Sequence, residues 1–421
     1  MEWGQVVAHD SVKTLQYFGG NLDPFCCPPP APHPECGLYI PAPPDMTCLT
    51  ISRSTACNTC RLGARDQMTA TPSFLDLSMV YGFTDERAHS IRTFSGGKLQ
   101  TNKSLVGTVI LPEAVLPQDL DIYDLVNTCH LQVDRLWLPC FRAGDGIRTN
   151  QQPLIAAMIT VLVVRHNQHC DGLAKVNPHW DDETLYQESR HLLIAEYNYI
   201  NFKEYLPSIL NEKLYDFFDL NVKPYGKYSK YNAKVNPSVI QEYGIAAFRY
   251  SHANINNNFP ILDKNVFKIS QMQLKFNFNQ MTELWDGNKN GLIKGMCEDR
   301  QKNTDLTYLS DIRNHLFLSQ QRFSATDLFV KDIFRGRDHG LASYVYYVQY
   351  CTGIHIKGWK DLHHLIPIHI VKQLMEIYTD IDLIIGGLAE TLMDGSVVGP
   401  TFACILGIQF YHLKYGDRSA G

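Results

Sequence analysis

The sequence predicts a mainly α-helical fold in one domain, with a Pro- and Cys-rich loop region near its N-terminus. Three observations carry this prediction. Several stretches place apolar residues at helical spacing, convincing alternating strands are scarce, and residues 20–64 hold too much proline for any regular element. At 421 residues and 45% apolar content the chain can bury a large core. No internal repeat or flexible linker divides it.

Taken in order, residues 1–10 read as a helix with Gln5 and His9 at i and i+4 on one face. FCCPPPAPHPEC and YIPAPPDMTC then read as loop. ATPSFLDLSMVYGFTDER (70–87) places small polar groups and Asp76 in an oxygen-rich loop. Cys129 and Cys140 bracket a short loop ahead of FRAGDGIRTNQQP, and a long helix is expected from Pro153 to about Cys170. A second helix is expected over Glu183 to Tyr205, with Leu185, Leu192, Leu193 and Tyr197 along one face. A third is expected over Val239 to Asn254. After an Asn-rich interval, helices are expected at Asp311 to Leu318, Ala325 to Phe334, Leu365 to Tyr378 and Phe402 to Tyr415.

A formal net charge of −5 argues against nucleic acid as a general partner. The longest apolar run, Pro153 to Val164, is too short to span a membrane and is broken by Thr160. The opening MEWGQVVAHD has no secretory leader pattern. The cysteines nonetheless have an extracellular look: seven of the twelve lie from Cys26 to Cys129, including Cys27, Cys36, Cys48, Cys57 and Cys60. CNTC (Cys57 to Cys60) has a zinc or redox spacing, but no second C-x-x-C follows, so disulfides pinning an irregular segment are the favoured reading. The sequon Asn102-Lys103-Ser104 agrees with a secreted glycoprotein.

The stretch IAAFRYSH (Ile245 to His252) puts Phe248 and Arg249 on the helical face of His252. That suits an imidazole ligating a haem iron beside an arginine that meets a propionate. By itself the segment equally fits, and more often is, a core histidine closing an amphipathic helix.

Six collinear motifs decide between them. WGQVVAHD (Trp3 to Asp10), SFLDLSMVYG (Ser73 to Gly82), CFRAGD with RTNQQP (Cys140 to Pro153), FRYSH (Phe248 to His252), RGRDHGL (Arg335 to Leu341) and DLIIGGLAE…GPTFACILGIQF (Asp382 to Phe410) resemble the animal-type haem peroxidases, the myeloperoxidase/peroxinectin superfamily. The AHD and NQQP variants are similar to arthropod chorion-peroxidase-like members. The resemblance implies a haem peroxidase domain over 1–418, incomplete at both ends relative to the family, with exposed apolar surface and instability as expected consequences. It also implies a secreted protein.

By resemblance, His9 is the distal acid/base that takes a proton from hydrogen peroxide and returns it to the departing oxygen. Arg148 is the distal arginine that stabilises O–O cleavage. Gln5 is the distal glutamine that orders water or binds halide. His252 is the proximal iron ligand, Arg249 the propionate partner, and Phe248 and Gln151 lie against the haem. Asp10, Phe74, Asp76 and Ser78 resemble the calcium site, a set of hard oxygen donors. Cys129 with Cys140 matches a family bridge.

Several positions depart from the pattern. The two haem-ester carboxylates fall at Ala8 and Gln151, and Gln152 stands at a sulfonium-forming methionine, so haem b is expected without covalent links and chloride is not expected as a donor. One extra residue lies between Asp145 and Arg148. Pro72 replaces a calcium-binding threonine, for which Thr71 is the nearest substitute. Val345 stands where the family has the asparagine that hydrogen-bonds the proximal histidine, so a weakened electron push is expected.

Two function classes follow. One is a haem-dependent peroxidase oxidising small phenolic, protein-tyrosine, halide or pseudohalide donors. The other is a catalytically degenerate extracellular adhesion or structural protein on the same fold, although no RGD or KGD tripeptide is present.

Overall fold

The computed structural model describes residues 1–15, 51–57, 63–114, 140–222, 230–317 and 326–418. Cys26, Cys27, Cys36, Cys48, Cys60 and Cys129 fall outside these, and with them the expected Cys129–Cys140 pairing. The mainly helical expectation holds. Among the described residues, strands form only two short antiparallel pairs.

Helix α1 (Glu2–Ser11) is largely interior: Val6, Val7, His9, Asp10 and Ser11 are all buried, and Gln5 and Ala8 are partly buried on the remaining face. The 70s loop ends in α2 (Ser78–Tyr81), and the FRAGD stretch lies directly against it. Gly144 is obligatory there, since a Cβ would fall 2.4 Å from the Gly82 nitrogen and 2.7 Å from the Ser78 oxygen. The extra residue after Asp145 is absorbed in a single turn, α3 (Gly146–Thr149).

Helix α4 (Pro153–Val176) starts on proline at its first position, with the Gln152 side chain capping the Leu154 N–H, and runs six residues beyond the predicted Cys170 end. Helix α5 (Asp182–Ile200) is capped by Asp181 through the Thr184 N–H at 2.8 Å. Its buried ladder is Leu185, Ser189, Leu193 and Tyr197 at strict i+4 spacing; Leu192, expected on that face, is 42% exposed. The predicted continuation to Tyr205 instead widens into a π-helical turn, Asn201–Tyr205, and Trp3 Nε1 donates to Asn201 Oδ1 at 2.8 Å.

The helix expected over Val239 to Asn254 is two elements. α6 (Gln241–Ile245) stops at Ala246, which leaves helical dihedrals, and a 3-10 segment, Ala247–Asn254, follows. A hairpin then pairs β1 (Asn258–Leu262) with β2 (Lys268–Gln273). It escaped sequence reading because β2 is exposed on both faces over most of its length and shows no alternation. Helix α7 (Lys289–Glu298) lies on β1, so closely that a Cβ on Gly295 would meet the Pro260 oxygen at 1.8 Å.

The expected helix at Asp311 shrinks to Ser310–Asn314, and the next is α8 (Leu328–Asp338). Helix α9 (Tyr344–Thr352), YVYYVQYCT, was not expected, since its β-branched and aromatic residues favour strand locally. The Ile368–Ile377 helix is as expected. Helices α10 (Leu383–Ala389) and α11 (Pro400–Tyr415) close the core, with a disulfide between Cys351 and Cys404 joining α9 to α11. Phe141, Tyr243, Tyr344, Phe402 and Phe410 belong to one buried cluster. No described helix is long and apolar enough to cross a membrane.

Candidate active site

Alpha-helical spacing brings Gln5 and His9 together on α1, with Gln5 Nε2 3.4 Å from His9 Nε2. The Gln5 amide also donates to Gln151 Oε1 at 3.1 Å and accepts from Gln152 Nε2 at 3.0 Å, while Gln152 donates to Glu2 Oε2 at 3.1 Å. A network of three glutamines and a buried carboxylate therefore lines one side of His9, and Glu2 and Gln152 are members that motif reading missed. Their signal was local: Glu2 is one turn before Gln5 on the same helix. Ala8 is on α1 and Gln151 carries an amide, so neither offers the carboxylate an ester needs.

Arg148 also arrives beside His9, but in a different attitude from the one expected. Its Nη2 donates to the His9 carbonyl oxygen at 2.7 Å, its Nη1 to the Val12 carbonyl, and its Nε to Asp145 Oδ2. The guanidinium therefore satisfies the orphan carbonyls at the C-terminal end of α1. Asp145 is 1% exposed and is shared with Lys13 at 3.1 Å. Burial opposes its ionisation, yet the charges of Arg148 and Lys13 hold its carboxyl well below the usual carboxylate range. Burial, reinforced by Arg148, pushes His9 well below the ordinary histidine value, so its ring is neutral.

His252 lies 25% exposed in the 3-10 segment, which packs against α1. Three residues make one full 3-10 turn, so Arg249 stacks directly before His252. Both reach one carboxylate. His252 Nδ1 is 2.7 Å from Asp332 Oδ2, and Arg249 Nη1 donates to Asp332 Oδ1 at 3.1 Å. Tyr308 donates its hydroxyl to Asp332 Oδ2 at 2.9 Å. Burial again opposes ionisation, and the facing His252 and Arg249 keep Asp332 below its ordinary value.

Two expectations are corrected by this arrangement. The absence of an asparagine at Val345 does not leave His252 without a partner: Val345 packs half-buried against the core, and Asp332 of α8 takes the Nδ1 position. Arg249, expected to meet a propionate, is paired with Asp332 through Nη1 and donates from Nε to the Gly244 carbonyl at 3.0 Å. Phe248 does not share the His252 face, because four residues overshoot the 3-10 turn. It stacks on Tyr243 with centroids 4.6 Å apart and sits edge-on to Phe410 in the core.

The RGRDHGL motif acts as a brace. Arg335 donates to Ser52 O and Ser54 Oγ, Asp338 pairs with Arg53 at 2.6 Å, and His339 bridges Ser54 to Gln241 at the start of α6. It fixes the base on which Arg249 and His252 stand.

Asp10, fully buried, accepts from the Leu77 N–H at 3.1 Å and from Ser78 Oγ at 3.2 Å, and Asp76 accepts from the Ser78 N–H at 3.0 Å. Leu77 adopts φ 56°, a left-handed conformation that a leucine holds only under constraint. Burial and the neighbouring Asp76 push Asp10 up to about 8, and burial raises Asp76. Two carboxylates meeting at Ser78, one on its hydroxyl and one on its N–H, make an oxygen-rich donor set that fits a hard cation. The Thr71 hydroxyl, beside Pro72, meets Thr69 Oγ1 at 3.1 Å, and Phe74 is 38% exposed.

The imidazoles bear on the prosthetic group. His9 Nδ1 is buried without a hydrogen-bond partner, and among the described residues only Nδ1 of His252 is engaged, leaving Nε2 available to a ligand. An unpaired buried imidazole nitrogen costs about 1–3 kcal/mol. The two histidines thus fit a ligand-binding centre, and His252, with Nδ1 held by a carboxylate, has the geometry of an iron-ligating imidazole.

The family model described as animal haem peroxidase matches residues 1–419. Peroxidase of Drosophila melanogaster is 31% identical over 444 residues, covering 99% of this chain and 62% of that protein. Chorion peroxidase of the same organism is 31% identical over 447 residues, covering 99% and 52%. The chain thus spans somewhat over half the length of these curated relatives. Among solved structures, peroxidase A of Dictyostelium discoideum superposes with a TM-score of 0.81 at 26% identity, over 99% of this chain and 78% of that one.

Proposed function

Since this chain belongs to the animal haem peroxidase family, we propose that it binds haem b non-covalently and reduces hydrogen peroxide at the expense of phenolic or tyrosine-like donors. The observation that carries the reading is the pairing of a neutral, buried His9 beside Gln5 with a His252 whose Nδ1 is fixed and whose Nε2 is free among the described residues. When bound, haem supplies the iron at which the O–O bond of peroxide is broken.

The chain's own residues do the rest. His252 Nε2 would hold the iron. His9 Nε2 accepts a proton from the incoming peroxide and returns it to the departing oxygen, a task that needs the neutral ring that burial enforces. Gln5 orients His9 and is itself held by Gln151 and Gln152. Arg148 contributes mainly by fixing the last turn of α1, and its charge helps to keep His9 neutral. Asp10, Asp76, Ser78 and the Phe74 carbonyl are read as the calcium set that ties α1 to the 70s loop. With Ala8 and Gln151 unable to form esters, halides easier to oxidise than chloride and pseudohalides are the alternative donors. The Cys351–Cys404 bridge favours an oxidising, extracellular setting, and residues 1–418 are read as one domain.

The test is reconstitution with haem followed by stopped-flow mixing with peroxide. A Soret band that responds quickly and recovers on adding a phenol supports the proposal. His252→Ala should abolish the bound band, and His9→Ala should keep the band but lose the fast response. No bound haem in the folded, unsubstituted chain would eliminate the reading. One observation favours the second reading, a degenerate binding scaffold: Arg148 faces backbone carbonyls. A bound Soret band that stays unresponsive to peroxide would support that second reading.

A further inference from the structure

The geometry points to Asp332 as the positioning residue of the iron-ligand histidine, a buried carboxylate that orients the His252 ring and strengthens Nε2 as an electron donor to iron. This inference rests on the haem reading above.

Asp332 is fully buried on α8, eighty residues after His252, and its two oxygens take three donors. Oδ2 receives His252 Nδ1 at 2.7 Å and the Tyr308 hydroxyl at 2.9 Å, and Oδ1 receives Arg249 Nη1 at 3.1 Å. The Tyr308 ring stands edge-on to the His252 ring at 6.3 Å and edge-on to Phe329 at 4.9 Å, so imidazole and carboxylate are both boxed in. Rotation of His252 about its side chain would break the Nδ1 bond and leave the buried Asp332 carboxylate with one donor fewer. The ring is therefore fixed with Nε2 directed away from α8.

A carboxylate pulls on the Nδ1 proton harder than a neutral amide does. The imidazole then carries more negative charge, Nε2 is a better donor, and the higher-charged iron is favoured. Arg249 and Tyr308 act in the opposite direction, since each hydrogen bond they give to Asp332 withdraws charge from it. The sequence position that lacks the expected amide, Val345, is thus replaced by a stronger acceptor from another helix.

The experiment compares haem-reconstituted wild type, Asp332→Asn and Tyr308→Phe by ferrous resonance Raman spectroscopy and by Fe(III)/Fe(II) potentiometry. Asp332→Asn should lower the iron–histidine stretching frequency and raise the potential. Tyr308→Phe frees Asp332 from one donor and should move both quantities in the opposite sense. It also keeps the test decisive if Asp332→Asn does not fold. Unchanged frequency and potential in haem-bound variants would overturn the inference while leaving the haem reading intact. No haem binding by the wild type would overturn the haem reading itself, and the inference with it.

Discussion

Arg148 Nη2 donates to the carbonyl oxygen of His9 at 2.7 Å, so the side chain aligned with a distal arginine closes the end of the helix that carries His9. Its Nε meanwhile neutralises Asp145, which is 1% exposed. One guanidinium thus joins a helix terminus to a buried charge.

Removing it should be costly. Arg148→Met leaves Asp145 with Lys13 alone and strips two carbonyls of their donor. A loss of about 3–5 kcal/mol is expected, the usual range when one partner of a buried pair is deleted. Urea unfolding measures it. A loss below about 1 kcal/mol, the scale of exposed pairs, would show that Asp145 is solvated in solution.

Calcium should stabilise the chain, and increasingly so as pH rises. Asp10 is pushed up to about 8 by burial and by Asp76, so without a cation the folded state keeps a proton that the unfolded state has lost. Stability from this group is fully present below the unfolded carboxylate pKa and declines as pH rises toward 8. A cation replaces the proton, so the calcium-induced rise in Tm should grow between pH 6 and 8. Asp76→Asn, which keeps an oxygen for the Ser78 N–H, should be no less stable than wild type without calcium and should respond less to it. Thermal scans at two pH values with and without calcium decide this.

Glu390 gives a second pH signature, independent of any ligand. It is buried, accepts from Tyr344 and twice from Thr401, and burial pushes it up to about 7. A raised carboxyl contributes stability that is present below about 4.5 and lost as pH rises through 7, on the order of 3 kcal/mol across that window. Glu390→Gln should flatten this slope in unfolding experiments between pH 5 and pH 8. An unchanged slope would place the titration elsewhere.

The Cys351–Cys404 bridge closes a separation of 53 residues. Chain-entropy reasoning assigns such a loop about 4 kcal/mol. Replacing both cysteines with serine should lower the urea midpoint by a corresponding amount, and dithiothreitol should lower it less in the double variant than in the wild type.

Much of the site was legible because its elements are local. Gln5 and His9 are one helical turn apart, and Gln152 with Pro153 marks the start of α4 by residue type alone. Helix α9 was illegible because Tyr344 and Val345 favour strand locally. Packing of Tyr344 against Gly386 and its bond to Glu390 hold it in a helix instead. The β1–β2 hairpin was missed because an exposed strand such as β2 has no face to reveal.

The sequence by itself determined that Arg249 and His252 stand together, that Gln5 accompanies His9, and that neither Ala8 nor Gln151 supplies a carboxylate. These are matters of identity and short spacing, which covalent geometry fixes. Tertiary structure alone decided that the His252 segment winds as a 3-10 rather than an α-helix, which turns Phe248 into the core and aligns Arg249 with His252. It alone also gave His252 the carboxylate of Asp332. That pairing joins two elements whose separation in the chain carries no signal, and it forms because a buried charge needs donors and the packing of α8 brings these within reach.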